Sequence, residues 1–415
     1  MVAKGVLSFL RERGLVAQVT REDELARLLD TQPVTVYVGF DPTADSLHVG
    51  HLRSIMMLVH LQRAGHRPIA LVGGGTAMIG DPSGRTEARP ILTRETIAYN
   101  AQRFKEQLGR FLDFSNGRAL LLDNSEWLLE LRYIDFLREI GSQFSVNQML
   151  TADAFRTRME RGLSFIEFNY MVLQAYDFLT LYRRYGCRLQ AGGDDQWSNI
   201  LAGIDLIRRL EHDAAYGLTC PLAVTASGQK MGKTAAGAVW LDASKTSPYD
   251  FFQYWRSVDD KDVSSFLAIY TLLPMDEVRA LSELEGQAIN RAKKVLAFEV
   301  TRLVHGQQAA EEARQAAEAL FESQGGMEEA LEGAPSTEVA LEELSGGIGI
   351  VELLVQCGLV PSRSEARRLI AQGGIYLNEV RVADADFLVT ADQLRQGRLL
   401  LRKGKKSYHQ VVARG

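Results

Sequence analysis

His48 and His51 stand three residues apart just downstream of the apolar run Val36–Phe40, and about 180 residues later Lys230 and Lys233 repeat that spacing. Two histidines so placed at the start of a helix share one face. The helix N-terminus adds unpaired backbone N–H groups, so the set can meet the phosphates of a nucleotide. The lysines lie in a polar, glycine-punctuated stretch from Ser227 to Gly237 that can close on the same phosphates from another side. Either pair alone arises easily by chance. Their order, their distance and the strand-then-helix setting together point to nucleotide chemistry.

Gly73-Gly74-Gly75, followed by Gly80-Asp81-Pro82-Ser83-Gly84, invites a phosphate-loop reading. Gly75 and Gly80 have the required spacing, but Asp81 and Pro82 stand where Lys and Ser/Thr are needed. A turn that lets the backbone approach a ligand closely is the better account. Arg85 and Arg89, a few residues on, could reach phosphate or lie on a solvated surface. Tyr170, Gln174 and Asp177 recur at four and three residues, which sets them on one helical face, lining a pocket or packing at an interface.

Such groups need a scaffold. The first ~225 residues alternate short apolar runs with amphipathic stretches, the pattern of a parallel sheet wrapped by helices, an α/β fold. Strands are expected at Thr35–Phe40, Arg67–Val72, Ala119–Leu122 and Leu189–Ala191, each ending in polar or glycine-rich sequence. In open α/β sheets those ends build the ligand crevice. A mostly helical insertion, 133–185, interrupts the alternation. From Pro248 to about Phe321 apolar residues recur at helical spacing. The segment Glu311–Glu343 holds ten Glu and a single Arg, which reads as a helix followed by a solvated linker. The expected organisation is a catalytic domain over 1–245, a helical domain over 246–325, a linker over 326–349 and a small α+β module over 350–415.

The chain of 415 residues exceeds what one core usually serves. Its formal net charge of -5 excludes a uniformly basic nucleic-acid binder. The charge is uneven: residues 350–415 carry 11 Lys plus Arg against 6 Asp plus Glu, a local +5 that leaves -10 on the rest. A basic tail on an acidic body suggests a polyanion held at one end. Cys187, Cys220 and Cys357 lie far apart without a Cys-x-x-Cys, so neither a disulfide framework nor a zinc site is expected. With no apolar run long enough to span a bilayer, a cytoplasmic location is expected.

The His48-Val49-Gly50-His51 and Lys230-Met231-Gly232-Lys233-Thr234 stretches resemble the HIGH and KMSKS signatures of class I aminoacyl-tRNA synthetases. In the second, Gly232 replaces the middle serine, which suggests a looser loop, and Thr234 keeps the final hydroxyl. The runs Asn169–Phe178 and Gln190–Trp197, together with Tyr37, are similar to the bacterial tyrosyl-tRNA synthetases, and the similarity extends over nearly the whole chain. The resemblance implies a Rossmann-like catalytic domain that activates L-tyrosine with ATP and charges tRNA(Tyr). Magnesium would accompany ATP, with no protein metal site.

It also implies roles. His48, His51, Lys230, Lys233 and Thr234 would stabilise charge on ATP, and Thr43 would position its γ-phosphate. Gly39, Asp41, Gly50, Gly193 and Asp195 would complete the nucleotide site, the last two at the ribose. Tyr37 and Asp177 would read the phenolic hydroxyl of tyrosine, while Asp81, Tyr170 and Gln174 hold its ammonium and Gln190 and Gln196 line the pocket. Asp194 receives no role. The tail resembles an RNA-binding module shared with a ribosomal small-subunit protein, with Arg363, Arg367, Arg368, Arg402, Lys403, Lys405 and Lys406 as its RNA contacts. A homodimer through the insertion around Phe136–Phe165 is implied by the family alone. The rival readings are a tryptophanyl-tRNA synthetase, which shares fold and signatures, and a non-catalytic RNA-binding protein descended from a synthetase.

Overall fold

In the computed structural model the described residues are 5–83, 92–152, 155, 159, 162–226, 228, 231–234, 237–322, 335–378, 380–394, 397–404 and 407–414. They fall into two compact units. The first comprises Met1–Gly232, Trp240–Asp242 and Lys261–Glu283; the second comprises Lys233–Val239, Ala243–Asp260 and Leu284–Gly415.

The first unit is built on a five-stranded sheet: β1 (Thr35–Phe40), β2 (Arg67–Val72), β3 (Leu120–Asp123), β4 (Cys187–Gly193) and β5 (Tyr216–Cys220). The order is β3-β2-β1-β4-β5, parallel throughout. β1 and β2 have the expected bounds, each ending where its apolar run does. β3 is shifted by one residue and β4 is longer than expected, because ladder pairing extends strands past their apolar centres. β5 was not foreseen: Tyr216-Gly217-Leu218-Thr219-Cys220 has no alternation to betray it, being buried on both faces. The sheet winds outward in both directions from the β1–β4 pair, where Tyr37 lies beside Gln190. That reversal of strand order opens a crevice at the C-terminal strand ends.

Helices cover the sheet. The insertion between β3 and β4 contains Tyr133–Glu139, Val146–Leu150 and the long helix Phe165–Tyr185. Ser164 starts the long helix with a reciprocal cap to Glu167, and Gly186 ends it at φ +63. Its buried Met171, Ala175 and Phe178 join the core beneath Tyr37 and Ile69.

In the second unit β6 (Lys233–Thr234) and β7 (Gly237–Ala238) form a minimal hairpin. Helices Pro248–Arg256, Ile289–His305 and Gln307–Glu322 pack on one another. The tail contributes β8 (Ser336–Ala340), β9 (Ile348–Gly349), β10 (Ile375–Leu377), β11 (Val380–Arg381), β12 (Leu388–Val389), β13 (Arg398–Lys403) and β14 (Ser407–Arg414). The sheet order is β11-β10-β13-β14-β8, with β9 and β12 pairing separately. Much of the expected linker is therefore structured. β8 runs parallel to β14, and Val339 and Leu344 are buried with Ile350, Leu353 and Leu401. High acidity hid an edge strand whose inward residues are few.

Candidate active site

His48 is the N-cap of the helix Val49–Arg63. Its Nδ1 accepts from the Gly50 N–H at 3.0 Å, and Nδ1 of His51 accepts from the His48 N–H at 3.1 Å. A ring nitrogen that accepts carries no proton, so each neutral imidazole bears its hydrogen on Nε2. The rings lie 4.0 Å apart, centroid to centroid. The pair thus caps the helix with one edge and carries donors on the other, which suits an anion at a helix N-terminus. Trp240 pairs with His48 through a backbone bridge, and its ring sits 6.1 Å from that imidazole.

The start of the lysine stretch meets the same helix end. Met231 is buried, its N–H donates to Ala223 O at 2.8 Å, and its Sδ receives the Tyr270 hydroxyl at 3.3 Å. Gly232 has φ +75, and a Cβ there would sit 3.3 Å from Val49 Cβ. The glycine is therefore a conformational requirement of a packed turn. The expected loosening is not what it supplies. Lys230 lies outside the described residues, as do Arg85 and Arg89, and Lys233 and Thr234 are described only as backbone, in β6.

Glycines 73–75 explain themselves through the chain's own side chains. A Cβ at Gly73 would lie 2.0 Å from Asp41 Oδ1 and one at Gly74 2.4 Å from Asp123 Oδ1, while one at Gly75 would meet Leu128 Cβ at 3.0 Å before Asn124 Oδ1 at 3.3 Å. The close approach expected to a ligand is made to these side chains. Asp41, just past β1, accepts from the Thr76 hydroxyl at 2.7 Å and the Tyr170 hydroxyl at 2.8 Å. Thr43 is exposed beyond it, and Gly39 is exposed at the end of β1.

Tyr37, on the central strand β1, and Asp177, on the helix Phe165–Tyr185, are both buried. Asp177 Oδ1 accepts from Trp127 Nε1 at 2.7 Å and Oδ2 from Asn124 Nδ2 at 2.8 Å. Desolvation nevertheless pushes its carboxyl up to about 8 against those two donors, with Asp41 and Asp123 adding repulsion. Burial, with Asp177 nearby, also pushes the Tyr37 phenol well above its usual range. The Tyr37 hydroxyl and Gln190 Oε1 are buried without a hydrogen-bond partner among the described residues. A buried hydroxyl so left costs about 1 to 3 kcal/mol until a ligand satisfies it.

A second polar group converges beside this one. Asp81 Oδ1 accepts from the Ser83 N–H at 2.9 Å and Oδ2 from Gln196 Nε2 at 2.7 Å. Asn199 Nδ2 reaches Gln196 Oε1 at 3.1 Å and Gln174 Oε1 at 3.2 Å. Asp81, Gln174 and Gln196, from three separate segments, are thus brought together. Asp194 takes a structural part, accepting from Gln18 Nε2 at 2.7 Å and Thr219 Oγ1 at 2.8 Å. Gly193 and Asp195 sit at the end of β4, on the crevice side of the switch point. Among the described residues no group of three His, Cys, Asp or Glu could hold a metal ion.

In the tail Arg363, Arg367 and Arg368 are exposed on the helix Arg363–Ala371. Arg363 and Arg368 pair with Glu352 at 3.2 Å and Glu365 at 2.7 Å. The Arg402 guanidinium lies 3.6 Å over the Tyr376 ring, and Lys403 Nζ donates to Leu359 O at 2.5 Å. Lys405 and Lys406 lie outside the described residues.

A family model for class I tRNA synthetases (W and Y) matches residues 29–322. The chain belongs to this family. A model for the tyrosine--tRNA ligase SYY-like C-terminal domain matches residues 326–411. The chain is 57% identical over 406 residues, 98% of each chain, to a tyrosine--tRNA ligase of Acetivibrio thermocellus. It is 57% identical over 409 residues, 99% of each chain, to a tyrosine--tRNA ligase of Caldanaerobacter subterraneus subsp. tengcongensis. A C-terminally truncated mitochondrial tyrosyl-tRNA synthetase of Aspergillus nidulans matches in structure with TM-score 0.69 at 30% identity, over 77% of this chain and 94% of that one. Both halves of the resemblance read from the sequence, the fold and the family, are therefore established.

Sequence reasoning missed Thr76, Asn124, Trp127 and Asn199. Asn124 and Trp127 follow β3, so the rule that strand ends build the crevice could have singled them out. Asn199 stands three residues beyond Gln196, one turn along from a residue already chosen.

Proposed function

We propose that this chain is a tyrosine--tRNA ligase in which the buried Tyr37 and Asp177 read the substrate's phenolic hydroxyl. The carrying observation is that pair: a hydroxyl without a partner, on the strand at the switch point, beside a carboxyl group oriented by Asn124 and Trp127. A phenol can accept from Tyr37 and donate to the Asp177 carboxyl, which favours its ionised form. Phenylalanine would leave the Tyr37 hydroxyl without a partner and Asp177 with only its two protein donors. Tryptophan, activated by the family's other branch, has a donor but no acceptor for the Tyr37 hydroxyl.

Asp81, Tyr170 and Gln174 hold the ammonium, and Gln190 and Gln196 line the pocket. The tyrosine carboxylate attacks the α-phosphorus of ATP in line, and pyrophosphate leaves. The terminal ribose hydroxyl of tRNA(Tyr) then attacks the carbonyl, releasing AMP. His48 and His51, donating from Nε2, stabilise charge as it moves onto the phosphates. Lys230, Lys233, Thr234 and Thr43 act on the same phosphates, and Gly39, Asp41, Gly50, Gly193 and Asp195 seat the nucleotide. Magnesium bound to ATP would supply neutralising charge to its phosphates. No side chain serves as nucleophile; positioning and charge stabilisation supply the rate.

The tail's Arg363, Arg367, Arg368, Arg402, Lys403, Lys405 and Lys406 bind the tRNA backbone, and the enzyme works in the cytoplasm. Exposed Ile134, Val146 and Phe165 on the insertion support a homodimer through that face. Tyrosine-dependent ATP–pyrophosphate exchange, run beside tryptophan and phenylalanine, tests the reading. Exchange driven by tryptophan, or none with any of the three, overturns it.

A further inference from the structure

Asn199 lies in the first turn of the helix Trp197–Glu211, and only 1% of it is exposed. Its Nδ2 faces three oxygens: Gln196 Oε1 at 3.1 Å, Gln174 Oε1 at 3.2 Å and Ser83 Oγ at 3.2 Å. The polarity of this cluster follows from one fixed member. The Asp81 carboxylate only accepts, taking the Ser83 N–H on one oxygen, so Gln196 must turn its NH2 toward the other. Gln196 Oε1 is thereby turned toward Asn199, which must donate. The same NH2 of Asn199 then draws Gln174 Oε1 inward, fixing which end of that amide is the acceptor.

We infer that Asn199 is a positioning residue of the ammonium site, relaying the polarity of Asp81 through two amides so that Gln174 keeps a carbonyl oxygen on the acceptor side. That oxygen has a second lone pair, and a primary ammonium needs acceptors in fixed places. This rests on the reading above, in which Asp81 and Gln174 hold the ammonium of tyrosine. A donor at residue 199 is essential to it. A carboxylate of the same shape would set acceptor against both glutamine oxygens, and Gln174, whose amide Asp81 does not hold, would turn over.

The test compares two ligands on the full-length enzyme: L-tyrosine, and 3-(4-hydroxyphenyl)propionate, which has the ring, hydroxyl and carboxylate but no ammonium. Tyrosine affinity is taken from its dissociation constant and the analogue's from competition. For Asn199→Asp and Asn199→Ala, tyrosine binding should weaken by about three- to tenfold, the worth of one hydrogen bond, with analogue binding unchanged. Asn199→Ser, which retains a short donor, should recover part of the loss. Partial unfolding of a variant scales both affinities equally, so the ratio of the two ligands stays diagnostic. Equal weakening of both ligands, or no weakening of tyrosine, overturns the inference. Absence of tyrosine-dependent exchange in the parent would instead overturn the ligase reading on which it rests.

Discussion

Asp177 sits between two donors yet out of contact with water, and its carboxyl is pushed from 3.8 up to about 8. In the unfolded chain the same group ionises near pH ~4. Between those pH values the folded protein holds a proton that the unfolded chain has released. Each pH unit climbed in that window therefore costs the folded state about 1.4 kcal/mol. The side chain's contribution is most favourable below pH ~4, is lost as pH rises toward ~8, and is level beyond. Asp177→Asn keeps the shape and cannot titrate. Between pH 5 and pH 7 the ligand-free parent should accordingly lose roughly 3 kcal/mol more stability than the variant. Urea unfolding of both proteins at pH 5, 6 and 7, followed by tryptophan fluorescence, measures the difference, and Trp127 lies directly on the carboxylate. Saturating tyrosine adds a third donor and should flatten the parent's slope. Parallel slopes without ligand would refute the reasoning, since they would mean that Asn124 and Trp127 outweigh desolvation and keep Asp177 ionised.

His48→Ala should slow adenylate formation by an amount equivalent to about 2 to 4 kcal/mol while leaving tyrosine binding intact, because the contact forms as charge moves; single-turnover rates near the parent's would remove the residue from this role. Tyr37→Phe should narrow the preference for tyrosine over phenylalanine by roughly 0.5 to 1.5 kcal/mol, read from exchange with each amino acid. Unchanged discrimination would place recognition of the hydroxyl elsewhere. Truncation after Glu322 should preserve adenylate formation, abolish efficient tRNA charging and flatten the salt dependence of tRNA affinity; a cut at Gly346–Gly347 would instead strand β8 and expose Val339 and Leu344, which belong to the tail's core. Parental charging by the shorter chain would show the tail's arginines and lysines to be solvated surface.

Several parts of this protein were legible because their signal is local. The spacing of His48 and His51 survives as a shared helix end, since three residues at a helix start always return to one face. Tyr170, Gln174 and Asp177 keep to one face of the Phe165–Tyr185 helix for the same reason. β1 and β2 could be bounded to the residue because their apolar runs stop where the strands do.

Pairing between segments has no such period. Nothing in the run Cys187–Gly193 says that it lies beside β1, yet that adjacency sets Gln190 against Tyr37 and opens the crevice. Asn124 and Trp127 stand about 50 residues before the aspartate that they hold. Asn199 meets Ser83 and Gln174 only after three segments have packed. Spacing along one element determined which residues could act together. The order of strands decided which did, because hydrogen bonds at about 3 Å depend on the register and packing of elements distant in the chain.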